Sequence, residues 1–396
     1  MKNLYHSDIY KFDTPVSSYW EDTSSENLQI DKLTKDINSE VVVIGGGYTG
    51  LLCAINLIEN HNLDVILVEA GKIGWGASSR NAGFNCLPPS KMSFKQMQSI
   101  YGAEETKKFF KNSVEGSNHT KDIIKEYNID CDVSGDSSYV VAHHKNKFEQ
   151  IKEQAEVYKS EFDIETKIYS KEEFDEIGHG GTEQYGAFSY KPAFAINPLK
   201  FVNGIAKHAL SKKLKIFEHT KVDKVNKENG SYVLETKEGS IRSKKIVVAT
   251  NGFYQEGLIP QMDGRVLPVI SNVIVTRKLN EDELNAHNFK TFSPVVNTKN
   301  LLCYYRKLPD NRILFGTRGD LTGSDQSNLA MSKKMEKFLK DIFPQWSNVA
   351  IDYNWRGLIA LSQKLAPSIG KIDNEEIYYG FGYNGVGVSA APWTGK

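Results

Sequence analysis

A chain of 396 residues is longer than one simple hydrophobic core usually serves, so two closely joined domains are expected. Apolar residues make up 40% and charged residues 25%, ordinary values for a globular enzyme. Lysine plus arginine equals aspartate plus glutamate at 49 each, which excludes an electrostatic case for nucleic acid or an anionic membrane as partner.

Residues 1–39 are polar and carry no strand pattern. They are expected to form an arm, clipped to the body by Ser18, Tyr19 and Trp20, since adjacent aromatics seldom stay fully wet. The opening MKNLYHSDIYKFD lacks the apolar core of a signal peptide, and no later run approaches the roughly 18 apolar residues of a spanning helix. A cytoplasmic protein is expected. The β-branched run 40–44, closed by glycine, suits a strand buried on both faces. Tyr48 to Asn60 predicts a helix with Leu51, Leu52, Ile55 and Ile58 along one stripe, and 64–69 a second buried strand. Helices are expected over 92–127 and 146–160, with a strand and turn over 185–196. His143 and His144 are adjacent, hence on opposite faces of a strand, at its surface or edge.

A helix from about Pro198, comfortable in a first turn, to Lys212 precedes short strands at 214–218, 221–227, 231–236 and 245–250. The run 265–275 is a further strand, and the turn Pro309-Asp310-Asn311 joins 301–306 to 312–317. A helix at 329–342 leads to strands near 349–360 and 376–381. An early βαβ unit, later antiparallel strands and a glycine-rich end predict an α/β (α+β) chain of two interleaved domains. A Rossmann-type domain is expected over 40–90, 145–265 and 350–396, and an antiparallel-sheet substrate domain over 91–144 and 266–349.

Within the βαβ unit, Gly45, Gly47 and Gly50 fit GxGxxG around Tyr48 and Thr49. The first glycine turns the chain, the second lets a pyrophosphate approach the backbone, and the third packs helix on strand. The phosphates sit at the helix N-terminus. A glycine-rich turn alone is weak, but this one follows a strand, opens a helix and precedes Glu69 at the end of the next strand. That carboxylate is placed to accept from ribose hydroxyls, and its charge disfavours the 2′-phosphate of NADP.

The loop pattern does not separate FAD from NAD; the stretch 69–83 does. Ala70, Gly76, Ala77, Ser78, Ser79, Arg80, Asn81 and Ala82 make a run poor in bulky side chains, where backbone can lie against a large flat ligand. With VVVIGGGYTGL at 42–52, EAGKIGWGASSRNAG at 69–83 and GFGYNGVGVSAAPWTGK at 380–396, the chain resembles the glycine oxidase/D-amino-acid oxidase superfamily of FAD-dependent oxidoreductases. Within it the resemblance is to the gamma-glutamylputrescine oxidase-like branch of amine oxidases. It implies FAD bound without a second Rossmann unit, and no second GxGxxG occurs. It further implies cofactor contacts at Ala249, Thr250, Asn251 and Gly252, and a backbone contact to adenine at Val222. The loop Gly385, Val386, Gly387, Val388 would lead into a helix whose N-terminus faces the flavin pyrimidine. The chain ends at Lys396, where relatives continue, so that helix is expected to dock poorly, with impaired turnover as one outcome.

The chemistry implied is oxidation of an amine C–N bond to an imine, hydrolysis, and reduction of O2 to H2O2. A dehydrogenase using another acceptor is the alternative. No Ser/His/Asp or paired-carboxylate constellation is present to suggest other catalysis. Tyr254, Tyr305, Arg306, Trp355 and Arg356 are candidate substrate-pocket residues; aromatics wall an alkylamine, and an unpaired arginine after an apolar strand is costly without purpose. Sarcosine-oxidase-like relatives hold a carboxylate with basic residues where this chain has Gly83 and Ser389, so a longer secondary amine or gamma-glutamylated polyamine is favoured over a small α-amino acid. Cys53, Cys86, Cys131 and Cys303 lack metal-ligand spacing and read as reduced thiols, with Cys86 and Cys303 the candidates for a flavin tether.

Overall fold

The computed structural model describes residues 4–26, 28–88 and 90–396. Two eight-stranded sheets organise the chain. The first is built on Ile37–Ile44, whose last four residues are all buried. It pairs in parallel with Val65–Val68 on one side and Ser240–Val248 on the other. Lys215–Phe217 and Ile377–Phe381 extend the parallel core outward. Parallel strands need crossovers, and the helix Tyr48–His61 supplies the first of them. It ends on Asn62 in the left-handed conformation, φ 51°, which closes the last turn. Leu51, Ala54 and Ile55 of that helix are buried against the sheet.

The second sheet runs Ile351–Ser362, Val266–Thr276, Ile313–Arg318, Tyr304–Lys307, Val295–Asn297, Ser138–Val141, Ala187–Tyr190, Thr166–Tyr169. It is antiparallel except where Val295–Asn297 meets Ser138–Val141. The strands 166–169, 187–190 and 351–362 belong to this sheet, although the sequence division placed them with the dinucleotide domain. Their patterns are those of any buried strand, and partner choice is not written in local periodicity.

Elements expected from the sequence recur with small boundary shifts, while the short strands Phe84–Asn85, Ser138–Val141, Thr166–Tyr169, Val295–Asn297 and Ser368–Lys371 and the helices Ala77–Arg80, Lys171–Ile177 and Glu281–Asn285 have no counterpart in that reading. The helix Phe94–Glu126 is interrupted at Gly102, φ 81°. The N-terminal segment carries a short helix, Tyr19–Asp22, and strand begins at Ile37, earlier than expected. Tyr19 and Trp20 are buried, and the Trp20 indole N–H donates to Asn81 O at 3.0 Å. His143 and His144 do not alternate along a strand, because the strand ends at Val141. His143 is instead held by Thr298 at 2.7 Å, and His144 is exposed.

Candidate active site

One cavity of about 1530 Å³ lies between the two sheets and extends along the glycine-rich turn. Ligand pockets for drug-sized molecules are typically about 300–1,000 Å³, so this volume suits a large cofactor together with a substrate. Among the described residues no helix is long and apolar enough to cross a membrane, and no cluster of metal-ligating side chains occurs.

At one end the turn is closed by backbone contact. Gly45 has φ +113°, and a Cβ there would lie 2.7 Å from Ala249 O. A Cβ on Gly50 would lie 1.9 Å from Gly45 O, so Gly50 packs helix on strand and does not line the cavity. Gly45, Gly47, Tyr48 and Thr49 do line it. The Glu69 carboxylate accepts from Gly46 N at 2.7 Å and Gly71 N at 2.9 Å, one bond to each oxygen. Each oxygen keeps a further lone pair for a ligand hydroxyl. Burial raises this carboxyl's pKa, against those two hydrogen bonds, which lower it.

The loop after Glu69 is braced from within. The Ser78 hydroxyl accepts from Tyr48 N at 3.1 Å, and the Tyr48 hydroxyl donates to Ser78 O at 2.6 Å. Asn81 donates to Ala77 O and Ser78 O and accepts from Gly83 N. Arg80 is buried, stacked 3.9 Å from the Trp75 ring centroid, and donates to Trp75 O and Arg356 O. Burial, then the Arg356 charge, pull its guanidinium down to about 9. Ala70, Gly76, Ala77, Ser78, Arg80, Asn81 and Ala82 line the cavity, whereas Ser79 turns inward to Gly74 O. Val222, in the loop before the strand Lys224–Glu228, and the run Ala249, Thr250, Asn251, Gly252, just after the strand Ser240–Val248, line it too. The Thr250 hydroxyl is buried without a partner. Backbone at close approach, a carboxylate with spare acceptors and an orphaned hydroxyl fit the ADP half of FAD.

The far wall is made by Gly385, Val386, Gly387 and Val388, which open the helix Gly387–Gly395. This helix docks, contrary to the expectation from its short length. Thr49 Oγ donates to Ala391 O at 3.2 Å, Thr120 Oγ to Val388 O at 3.0 Å, and Asn56 Nδ2 to Lys396 O at 2.9 Å. Gly116 permits the contact, since a Cβ there would lie 3.1 Å from Ser389 O. Small residues let the backbones approach closely enough for these bonds.

The substrate candidates divide. Tyr254 lines the cavity, its hydroxyl tied to Ile259 O at 2.8 Å and Asp263 at 3.1 Å. Tyr305, Arg306, Trp355 and Arg356 do not line it. Strand alternation turns Tyr305 into the second core, against His179 at 2.8 Å, while its neighbour Tyr304 faces the cavity. Arg306 lies behind the flavin loop, fully buried, donating to Ile196 O at 2.6 Å beside Gly83 and 5.3 Å from the Trp20 ring centroid. Burial lowers its pKa to about 9. Trp355 donates to Arg80 O at 2.9 Å, and Arg356 pairs with Asp325 at 2.8 Å. Ser389 is spent on Cys86 O at 2.8 Å.

Residues that sequence reasoning missed fill the chamber. Tyr304 stands over Gly316, bonds Ser271 Oγ at 2.9 Å, and meets Phe84 edge-on at 5.9 Å. Cys86 lines the chamber with its thiol pushed up by burial to about 12, whereas Cys303 is off the cavity; all four cysteines are free. Lys91 and Arg318 also face this space. The absence of cations at Gly83 and Ser389 therefore does not leave the chamber without positive charge. Only the tertiary fold brings a loop lysine to a strand-end arginine.

A family model for FAD-dependent oxidoreductases (DAO) matches residues 40–396. The gamma-glutamylputrescine oxidoreductase of Escherichia coli strain K12 is 29% identical over 96% of this chain and 87% of its own. Glycine oxidase from Geobacillus kaustophilus superposes with a TM-score of 0.74 at 17% identity, over 90% of this chain and 92% of that one. L-proline dehydrogenase from P. horikoshii gives 0.72 at 22%, over 93% and 92%. The fold is thus that of these flavoenzymes, and with the family match covering nearly the whole chain, the protein belongs to the DAO family of FAD-dependent oxidoreductases.

Proposed function

We propose that this FAD-dependent oxidoreductase oxidises the C–N bond of an amine, with a secondary amine or a gamma-glutamylated polyamine as substrate and O2 as electron acceptor. The observation that carries this reading is the continuity of the nucleotide cradle with an aromatic chamber walled by Phe84, Tyr190 and Tyr304. The similarity along most of the chain to the Escherichia coli gamma-glutamylputrescine oxidoreductase supports the substrate class.

Bound FAD supplies a two-electron acceptor. Gly45, Gly47 and Tyr48 at the turn, Glu69 at the ribose, Val222 at the adenine and the 249–252 run would hold its nucleotide half. The 76–82 loop and the Gly385–Val388 turn would frame its ring. The substrate carbon beside nitrogen loses a hydride equivalent and the nitrogen a proton, which leaves a C=N bond. Water adds to that bond, giving a carbonyl compound and an amine, or ammonia where the oxidised nitrogen is primary. The two electrons, with two protons, convert O2 to H2O2. Tyr304 and Phe84 orient the alkyl chain and exclude water from the reacting carbon.

Anaerobic titration of the holoenzyme with gamma-glutamylputrescine, sarcosine and D-amino acids tests the reading. Bleaching of the flavin absorbance by gamma-glutamylputrescine, followed by peroxide on admitting air, is expected. No bleaching with any amine would refute the amine reading, and bleaching without peroxide would place the enzyme among dehydrogenases.

A further inference from the structure

The wall of the aromatic chamber includes two neutral polar side chains that the reaction above does not use. Gln154 and Tyr158 lie one turn apart on the helix Phe148–Phe162, and both border the cavity. That helix packs on Thr166–Tyr169 and Ala187–Tyr190, the outer strands of the second sheet. Residues four apart share one face of a helix, and Gln154 Nε2 donates to the Tyr158 hydroxyl at 3.3 Å. Tyr158 is only 5% exposed. Its ring is wedged among Phe110, Phe188 and Tyr190, with centroids 5.9, 5.9 and 5.7 Å away, so the position of its hydroxyl is fixed by packing.

The other tyrosine hydroxyls on this wall are engaged: Tyr190 donates to Leu87 O at 3.1 Å, Tyr304 meets Ser271 Oγ, and Tyr254 donates to Ile259 O. Tyr158 differs. Among the described residues its hydroxyl proton has no acceptor, and Gln154 Oε1 has no donor. A buried hydroxyl with an uncommitted proton calls for an acceptor from whatever fills the cavity. Burial pushes the Tyr158 pKa up to about 12, so the group is a neutral donor near neutral pH. The pair thus presents one donor and one acceptor side by side. Turning the Gln154 amide over exchanges the two roles and still leaves one of each. A carboxylate asks for donors alone and an ammonium for acceptors alone. A secondary amide, with its C=O and N–H, matches both.

We propose that Gln154 and Tyr158 form a subsite for the amide of an N-acylated diamine, with Tyr158 donating to the amide carbonyl and Gln154 accepting from the amide N–H. This inference rests on the amine-oxidase reading above and deepens it by naming the internal group by which the substrate is read. Phe84, Tyr190 and Tyr304 line the same chamber, an apolar wall suited to the methylenes between that amide and the reacting amine. A free diamine would bring a second ammonium to a hydroxyl whose proton points the wrong way for it. A site built to hydrogen-bond a particular group discriminates against analogues that lack it, because its own polar atoms are then left unpaired.

The experiment uses FAD-loaded wild type, Tyr158→Phe and Gln154→Leu. Phenylalanine keeps the ring that packs on Phe110 and Phe188 and removes only the hydroxyl. Each protein is assayed with N-acetylputrescine and with heptylamine, which has the same chain length and no amide. Neither amine carries an acid group, so the comparison reads the amide alone. In Tyr158→Phe the ratio of kcat/KM for N-acetylputrescine over heptylamine should fall about tenfold, the loss appearing in KM. Gln154→Leu should lower the ratio less, since Gln154 is exposed. The same proteins are titrated by calorimetry with N-butylacetamide, which has the amide and no amine. Wild type should bind it, and Tyr158→Phe about tenfold more weakly. A ratio equal in wild type and Tyr158→Phe, or a wild type that does not bind N-butylacetamide, would overturn the proposal. If no amine is oxidised, the amine reading fails, and the N-butylacetamide titration still decides whether the pair binds an amide.

Discussion

Glu69 sits where two backbone amides and a ligand compete for one carboxylate. Glu69→Gln keeps the volume and one acceptor but removes the charge and turns one oxygen into a donor facing Gly46 or Gly71. The dissociation constant for FAD, measured by quenching on adding cofactor to apoprotein, should rise roughly tenfold. Residue by residue, the nucleotide turn was the most legible part, because GxGxxG, its strand, its helix and Glu69 lie within one short stretch. The substrate wall was not. In the sequence Tyr304-Tyr305-Arg306 nothing states which face meets the cavity; in the fold Tyr304 lines it and Tyr305 does not.

Elements carry the next set of consequences. The short helix Tyr19–Asp22 pins the N-terminal arm to the flavin loop through Trp20, which packs edge-on against Trp355 at 6.2 Å. Trp20→Ala should cost about 3–5 kcal/mol, read from the midpoint of urea unfolding. An unchanged midpoint would show the arm to be dispensable. The docking of Gly387–Gly395 depends on small residues facing it. Gly116→Leu places a side chain 3.1 Å or less from Ser389 O and against Trp393, so the helix must move. Loss of FAD during gel filtration is expected, without unfolding of the parallel sheet by circular dichroism. Retention equal to wild type would separate this helix from cofactor binding. The aromatic clip was visible from sequence because two large rings together demand burial. The docking of a nine-residue helix was not visible, because it rests on Thr49, Thr120 and Gly116, each unremarkable alone and distant along the chain.

At the scale of the molecule, two sheets meet over one continuous cavity, and residues of both line it. The parallel sheet sets a nucleotide against strand ends and a helix N-terminus; the antiparallel sheet offers Tyr304, Ser271 and Arg318 from adjacent strands. The chain crosses between them repeatedly, so strands at 166–169, 187–190 and 351–362 could not be sorted by order alone. A ligand that spans both sheets should stabilise the whole fold. At a free FAD concentration one hundred times its dissociation constant, the gain is about 2.7 kcal/mol.

The central claim is that a glycine turn and Glu69 hold FAD between the two sheets. Its most direct test is the visible spectrum of the purified protein, followed by FAD titration of stripped apoprotein for wild type and Gly50→Ala. Wild type should be yellow and rebind one FAD per chain. Gly50→Ala, whose Cβ would press on Gly45 O, should emerge colourless and rebind poorly. A wild-type protein that is colourless and takes up no FAD, or a Gly50→Ala variant that binds it as tightly as wild type, would contradict the account.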